Sequence, residues 1–227
     1  MPYFKDVYKS FDGLEIFSGF SISFAKNRIN CILGPSGCGK TTLLNMLAGT
    51  MEPDRGEIGG LPSRISYVFQ EPRLLPWKTV RRNIEFVLRD HLPEEEVKER
   101  TEKYLEIVEM KKFSAYYVSR LSGGMKQRVS LARAFSYDSG LILMDEPFIS
   151  LDYKLKKTLT GAFIKLWEED RRTVVFVTHD IDEAVALGHN IYLFSVPPVQ
   201  ILRKFITDEF PNKLVLKEEI REDLVIW

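Results

Sequence analysis

The sequence predicts an α/β protein built around a mostly parallel sheet. Three stretches carry that expectation. "GLILMDEP" at 140–147 and "TVVFVTHD" at 173–180 are apolar runs ending in polar residues, the pattern of strands buried on both faces. One helical stretch, about 153–170, lies between them. Strand, helix, strand with polar carboxyl ends describes a sheet whose chemistry gathers along one edge. The third stretch is "RINCIL", followed by the glycine-rich "GPSGCGKTT" at 34–42 and then by "TTLLNMLAGT". In that last run the apolar residues recur at helical spacing, and Gly49 is a stop signal.

The other elements follow in order. "LEIFSGFSISF" reads as strand, being alternating, aromatic and bounded by glycine. Tyr3 and Phe4 before it are assigned to core packing. "DRGEIGG" reads as turns, and "RISYVF" as a short strand. Residues 79–112 are charged and lack alternation, so they predict helices. One opens at Pro93-Glu94-Glu95-Glu96, where early acids suit the helix dipole. "LSGGMKQR" at 121–128 starts with a serine and two glycines and runs on with helical character through Ser136. Residues 190–203 predict two short strands. The last 24 residues, ending "REDLVIW", match no template.

Bulk properties narrow the function. The 227 residues carry 32 basic and 32 acidic side chains, for a formal net charge of zero. No broad basic field for nucleic acid results. The pairs Arg81-Arg82, Lys156-Lys157 and Arg171-Arg172 read as solvated helix faces or turns. Two cysteines, Cys31 and Cys38, give neither a disulfide framework nor a metal spacing, which favours a reducing compartment. The start lacks a secretory pattern, and no apolar run is long enough to span a bilayer.

Chemistry concentrates in a few motifs. "GPSGCGKT" fits G-x-x-x-x-G-K-[ST], with an apolar strand before it and a helix after it. Gly34, Gly37 and Gly39 let backbone N–H groups approach phosphate oxygens, with Pro35, Ser36, Cys38 and Thr42 in the same loop. Lys40 supplies a point charge, and the Thr41 hydroxyl is the expected Mg²⁺ ligand. Asp145, at the end of a buried strand, is placed for the same ion. Glu146 beside it suits a general base that activates water. His179 closes a strand of the same sheet, within reach of a terminal phosphate, whereas His91 and His189 are assigned to the surface. Gln70 ends "YVFQ" and is suited either to the Mg²⁺ or to orienting water.

This ordered set resembles the ATP-binding subunit of an ABC transporter over roughly residues 1–205. "LSGG" ahead of "LILMDEP" is the specific part. The resemblance implies a P-loop NTPase core, an N-terminal antiparallel β subdomain and a helical subdomain, about 72–138, carrying the LSGG signature. Residues 206–227 are left as a tail of unassigned role. It also implies ATP and Mg²⁺ as ligands, and a head-to-tail homodimer in which Ser122, Gly123 and Gly124 close over the partner's nucleotide. Phe11 would stack on adenine, with Tyr8 the weaker choice. Asp152 would couple the two sites from the stretch Ile149-Ser150-Leu151-Asp152, where the family more often has Ser-Ala-Leu-Asp.

Partners are implied as well. Residues 71–77 carry two prolines with Leu74, Leu75 and Trp77, apolar side chains suited to a partner helix. In the family this region receives a cytoplasmic helix of the membrane permease. "LLPW" after the glutamine is similar to importers of nitrate, sulfonate, taurine and pyrimidine precursors. The resemblance then implies a peripheral subunit on the cytoplasmic face of the membrane, working with a permease and a periplasmic or lipoprotein solute-binding protein. The motor chemistry alone does not separate import from export. A soluble ABC ATPase of the DNA-repair type would need a long coiled-coil insertion, and one of the ribosome type would need two cassettes. The chain has neither.

Overall fold

The computed structural model describes residues 1–149 and 152–224. Ser150 and Leu151 of the coupling stretch, and the terminal "VIW", lie outside the described residues. A three-stranded antiparallel sheet has the order β2-β1-β4, from β1 (Tyr3–Phe11), β2 (Leu14–Ser23) and β4 (Arg55–Gly59). A six-stranded sheet contains β3 (Ile29–Leu33), β5 (Ile65–Val68), β6 (Leu141–Asp145), β7 (Thr173–Thr178), β8 (Asn190–Phe194) and β9 (Ile201–Ile206). Its order is β5-β6-β7-β3-β8-β9, parallel except for the antiparallel last pair.

Period-two alternation divides the core. Ile29, Cys31 and Leu33 of β3, Ile142 and Met144 of β6, and Val174 and Phe176 of β7 face one apolar cluster. Ile32, Leu141, Leu143, Val175 and Val177 face the other. The second cluster is shared with α1 (Lys40–Leu47) and with Phe4, Phe17 and Phe20 of the antiparallel sheet. The first takes α5 (Tyr153–Asp170), α6 (Ile181–Leu187) and a helical group made of α2 (Val80–Leu88), α3 (Glu94–Ile107) and α4 (Gly123–Ser136). Strands buried on both faces explain the unbroken apolar runs.

Several local expectations hold. Glu94, Glu95 and Glu96 open α3 directly after Pro93. The α5 span matches the expected 153–170, and Asp152 caps it by accepting from Leu155 N–H at 3.0 Å. Phe4 is buried.

Three expectations need correction, and the unassigned tail acquires a structure. "DRGEIGG" is not only turns: residues 55–59 form β4 on the open side of β1. Pairing decides this over propensity. Gly56 sits at φ +94°, where a Cβ would overlap the Asp6 backbone, so glycine is what allows the strands to close. Arg172 is buried rather than solvated. Its guanidinium donates to the carbonyls of Phe135 (2.8 Å) and Tyr137 and pairs with Asp170, capping the last turn of α4. His189 is half-buried, not a surface residue. Its Nδ1 accepts from Ile29 N–H at 3.1 Å, and its ring lies 4.6 Å from that of Trp167. The tail is structured: α7 (Lys213–Leu224) buries Leu216 and Ile220 against the core, and Arg203 of β9 pairs with Glu219 (2.6 Å) and Asp223 (3.1 Å).

Candidate functional site

Parallel register gathers the predicted residues at one edge. Asp145 stands opposite Val177, Leu33 opposite Thr178, and Val68 opposite Met144. The carboxyl ends of β5, β6, β7 and β3 therefore level off together. They deliver Gln70, Asp145-Glu146, His179 and the loop 34–39 to a shared rim. A cavity of about 350 Å³ lies there, lined by Ser36, Gly37, Gly39, Lys40, Thr41, Thr42, Gln70, Asp145 and Glu146, with Ile16 at its wall.

The loop owes its shape to glycine. Gly37 and Gly39 have φ of +79° and +98°, and a Cβ on Gly39 would stand 2.5 Å from Ile16 Cγ2. Gly34 is pressed between Cys38 Sγ and Phe194. Cys38 is a packing residue beneath the loop; burial pushes its thiol pKa up, against thiolate chemistry. The Lys40 ammonium, 5% exposed, donates to the Gly34 and Pro35 carbonyls at 2.9 Å each and stands 3.5 Å from Glu146. The opening of α1 adds unpaired amides and a positive end to this concavity.

Two oxygen donors meet beside it. Thr41 Oγ1 donates to Asp145 Oδ1 at 3.2 Å. Burial raises the Asp145 pKa, its bond from Thr41 lowers it and the adjacent Glu146 charge raises it, for a net upward shift. A carboxylate held under that strain gains from a cation. Hydroxyl, carboxylate and the exposed Gln70 amide form an all-oxygen set, the kind that hard divalent ions take. Glu146 has φ +42°, uncommon for a side chain of its size. Its N–H donates to the Val177 carbonyl at 3.1 Å, and its carboxylate accepts from His179 Nδ1 at 2.9 Å. Glutamate, lysine and histidine thus converge.

Sequence reasoning missed the groups that hold these in place. The Tyr67 hydroxyl donates to Asp145 Oδ2 at 3.4 Å from the neighbouring strand. Glu183, buried on α6, accepts from Thr178 Oγ1 at 2.7 Å and pairs with Lys156 at 2.6 Å; Lys156 also holds Asp180 at 2.6 Å. That network fixes the corner from which His179 projects. A tyrosine three residues before Gln70 was the only sequence trace of the first contact. The second had none.

Ser122, Gly123 and Gly124 are not among the residues lining this cavity. Ser122 caps α4 by accepting from Met125 N–H at 3.4 Å, leaving the Gly123 and Gly124 amides without helical partners. Ser122 and Gly123 are exposed, whereas Gly124 is buried against Leu155. Phe11 is 40% exposed at the end of β1, with the Lys9 ammonium over its ring at 5.5 Å from the centroid.

The profile described as "ABC transporter" matches residues 17–149. The chain belongs to the ABC transporter family. The aliphatic sulfonates import ATP-binding protein SsuB of Bacillus cereus (strain ZK / E33L) is 38% identical over 87% of this chain and 80% of its own length. The taurine import ATP-binding protein TauB of Yersinia pestis bv. Antiqua is 35% identical over 87% and 81%. Among solved structures, a dimeric post-hydrolysis ATP-binding cassette bound to ADP and phosphate superposes with a TM-score of 0.74. It is 31% identical and covers 90% of this chain and all of the other. As an ABC ATPase subunit, the chain binds and hydrolyses ATP in the service of transport. Among the described residues, no helix is long and apolar enough to cross a membrane.

Proposed function

We propose that this chain is the motor of an importer for a small solute of the sulfonate, taurine, nitrate or pyrimidine-precursor kind, working as a head-to-tail homodimer on a membrane permease. The observation that carries the dimer is the separation of two anion cradles. The loop 34–42 opens on the cavity with Asp145 and Glu146, and the turn 122–124 does not. The dimeric cassette and the import relatives support the same reading.

In this reading Phe11 stacks on adenine, retaining a π face without a hydroxyl. The amides of the loop Gly34, Pro35, Ser36, Gly37, Cys38 and Gly39, with Lys40 and Thr42, bind and orient the phosphates. Thr41, Asp145 and Gln70 hold Mg²⁺, which when bound offsets phosphate charge. Glu146 accepts the proton of the attacking water, and His179 orients Glu146 and reaches the outer phosphate. Ser122, Gly123 and Gly124 close over the partner's nucleotide, and Asp152 sits in the connection between the two sites. Preorganised donors of this kind contribute most where charge develops in the transition state.

Beyond Gln70, Trp77 (70% exposed), Phe86, Tyr116 and Tyr117 are exposed while Leu74 and Leu75 are half-buried, and Val80 N–H donating to the Tyr116 carbonyl and a bridge between Thr79 and Tyr117 tie the start of α2 to the two tyrosines. This surface is suited to receive a permease helix, with the subunit peripheral on the cytoplasmic face and a solute-binding protein outside. The motor occupies residues 1–205, with 72–138 as its helical part. Zero net charge supports a role away from nucleic acid.

Glu146→Gln tests the assignment. It keeps the side-chain volume and removes the base. The variant is expected to bind ATP, to sediment as a dimer with ATP, and to lose at least about a hundredfold in turnover. Normal turnover would refute the role of Glu146.

A further inference from the structure

In the dimer reading, on which this inference rests, the cradle and the glutamate of one chain serve two different nucleotides. Two contacts join them inside that chain. Gln127 lies one turn beyond Gly124 on α4 and is 3% exposed. Its Nε2 donates to the Pro147 carbonyl at 2.8 Å, in the residue that follows Glu146. Gly124 meets Leu155 in the first turn of α5, where a Cβ would stand 2.8 Å from Leu155 Cδ2. One turn of the cradle helix therefore touches both ends of the segment 147–155.

The mechanics follow from burial. A buried carbonyl that loses a buried amide donor pays a desolvation penalty, so the first turns of α4 and the Pro147 carbonyl move together. Glu146, immediately before that carbonyl, sits at positive φ with Val177 bonded at its N–H, Ile149 at its carbonyl, and His179 and Lys40 at its carboxylate. A displacement of α4 on gripping the partner's phosphate would thus reach the backbone that aims this chain's own base. We infer that Gln127 is a positioning residue coupling the two composite sites: through Pro147 it makes the orientation of Glu146 depend on occupancy of the cradle of the same chain.

Mixed dimers test this by asking which chain must carry the change. A Glu146→Gln chain in large excess pairs with every intact chain, so only the intact chain hydrolyses. Gln127→Met on the hydrolysing chain is expected to cut turnover about tenfold, with half-saturation by ATP altered less than about twofold. The same change on the Glu146→Gln chain, whose cradle covers the active nucleotide, leaves turnover within about twofold. Loss confined to that second arrangement, or equal loss in both, would overturn the inference, because Gln127 would then be shaping the cradle itself. No loss in either arrangement would also overturn it. Gln127→Glu gives a second readout that a merely structural role would not move. Its carboxyl donates to the carbonyl only when protonated, so its rate relative to Gln127→Met rises as pH is lowered. Ser122→Arg on the excess chain separates the two levels of failure. If it has no effect, the shared site is refuted and the coupling falls with it; if it abolishes turnover while Gln127→Met is silent, only the coupling falls.

Discussion

The loop at 34–42 and the turn at 122–124 both end in a helix N-terminus with free amides, yet they build very different fractions of a site. The first is walled by Ile16 and flanked by a buried ammonium, two carboxylates and a histidine at bonding distances. The second has an exposed serine and an exposed glycine, and neither belongs to the lining of that cavity. A site that must release product gains from this division. In the proposed dimer, one half stays organised, and the other arrives and leaves with the partner.

Glycine substitutions break the comparison most strongly. Gly39→Ala places a Cβ against Ile16 at a backbone angle that alanine resists. It is expected to cost about 1–3 kcal/mol of stability and most nucleotide affinity, read by thermal melting and fluorescent-nucleotide titration. The cradle responds differently at its two glycines. Gly124→Ala must displace Leu155 and is expected to destabilise by about 1–3 kcal/mol. Gly123→Ala meets nothing within 4 Å and leaves the melting temperature level or slightly raised. In the proposed dimer it is still expected to lower turnover, because its methyl would stand where the partner's phosphate approaches. A melting curve and a turnover assay on the pair separate packing from binding.

The smallest expected effect lies away from both cradles. Burial, then the Arg28 charge, lowers the His189 pKa below 6.5. A depressed histidine contributes stability that is complete above the unfolded pKa and is lost as pH falls through the folded one. The melting temperature of the native chain should therefore fall from about pH 6.5 downward more steeply than that of His189→Gln. Parallel slopes would remove His189 as a contributor.

What was legible in the sequence is what a short stretch fixes by itself. Lys40, Thr41 and Asp145 are recognised because each sits at the end of an apolar strand or in a contiguous loop, and the parallel register does the rest. Gln127 and Pro147 are twenty residues apart, Tyr67 and Asp145 seventy-eight. Nothing local distinguishes those partners from surface residues, since only the packing of α4 and the pairing of β5 with β6 bring them together. Arg172 misled for the same reason. An arginine pair after a helix looks solvated until the carbonyls at the end of α4 are found waiting for it. Residues 55–59 failed in the opposite sense: glycines that signal turns were there to admit the β1 backbone.

The claim that two copies each supply half of the site is tested most directly by complementation. Lys40→Ala removes the phosphate charge and keeps the cradle; Ser122→Arg blocks the cradle and keeps the loop. Each variant alone should be inactive. Mixed in equal amounts, they form dimers with one intact loop facing one intact cradle, so turnover returns, to about a quarter of native if pairing is random and sites act independently, and to about a tenth of that if Glu146 depends on the blocked cradle of its own chain. Mixtures that stay inactive at every ratio, or a Ser122→Arg chain active by itself, would contradict the account.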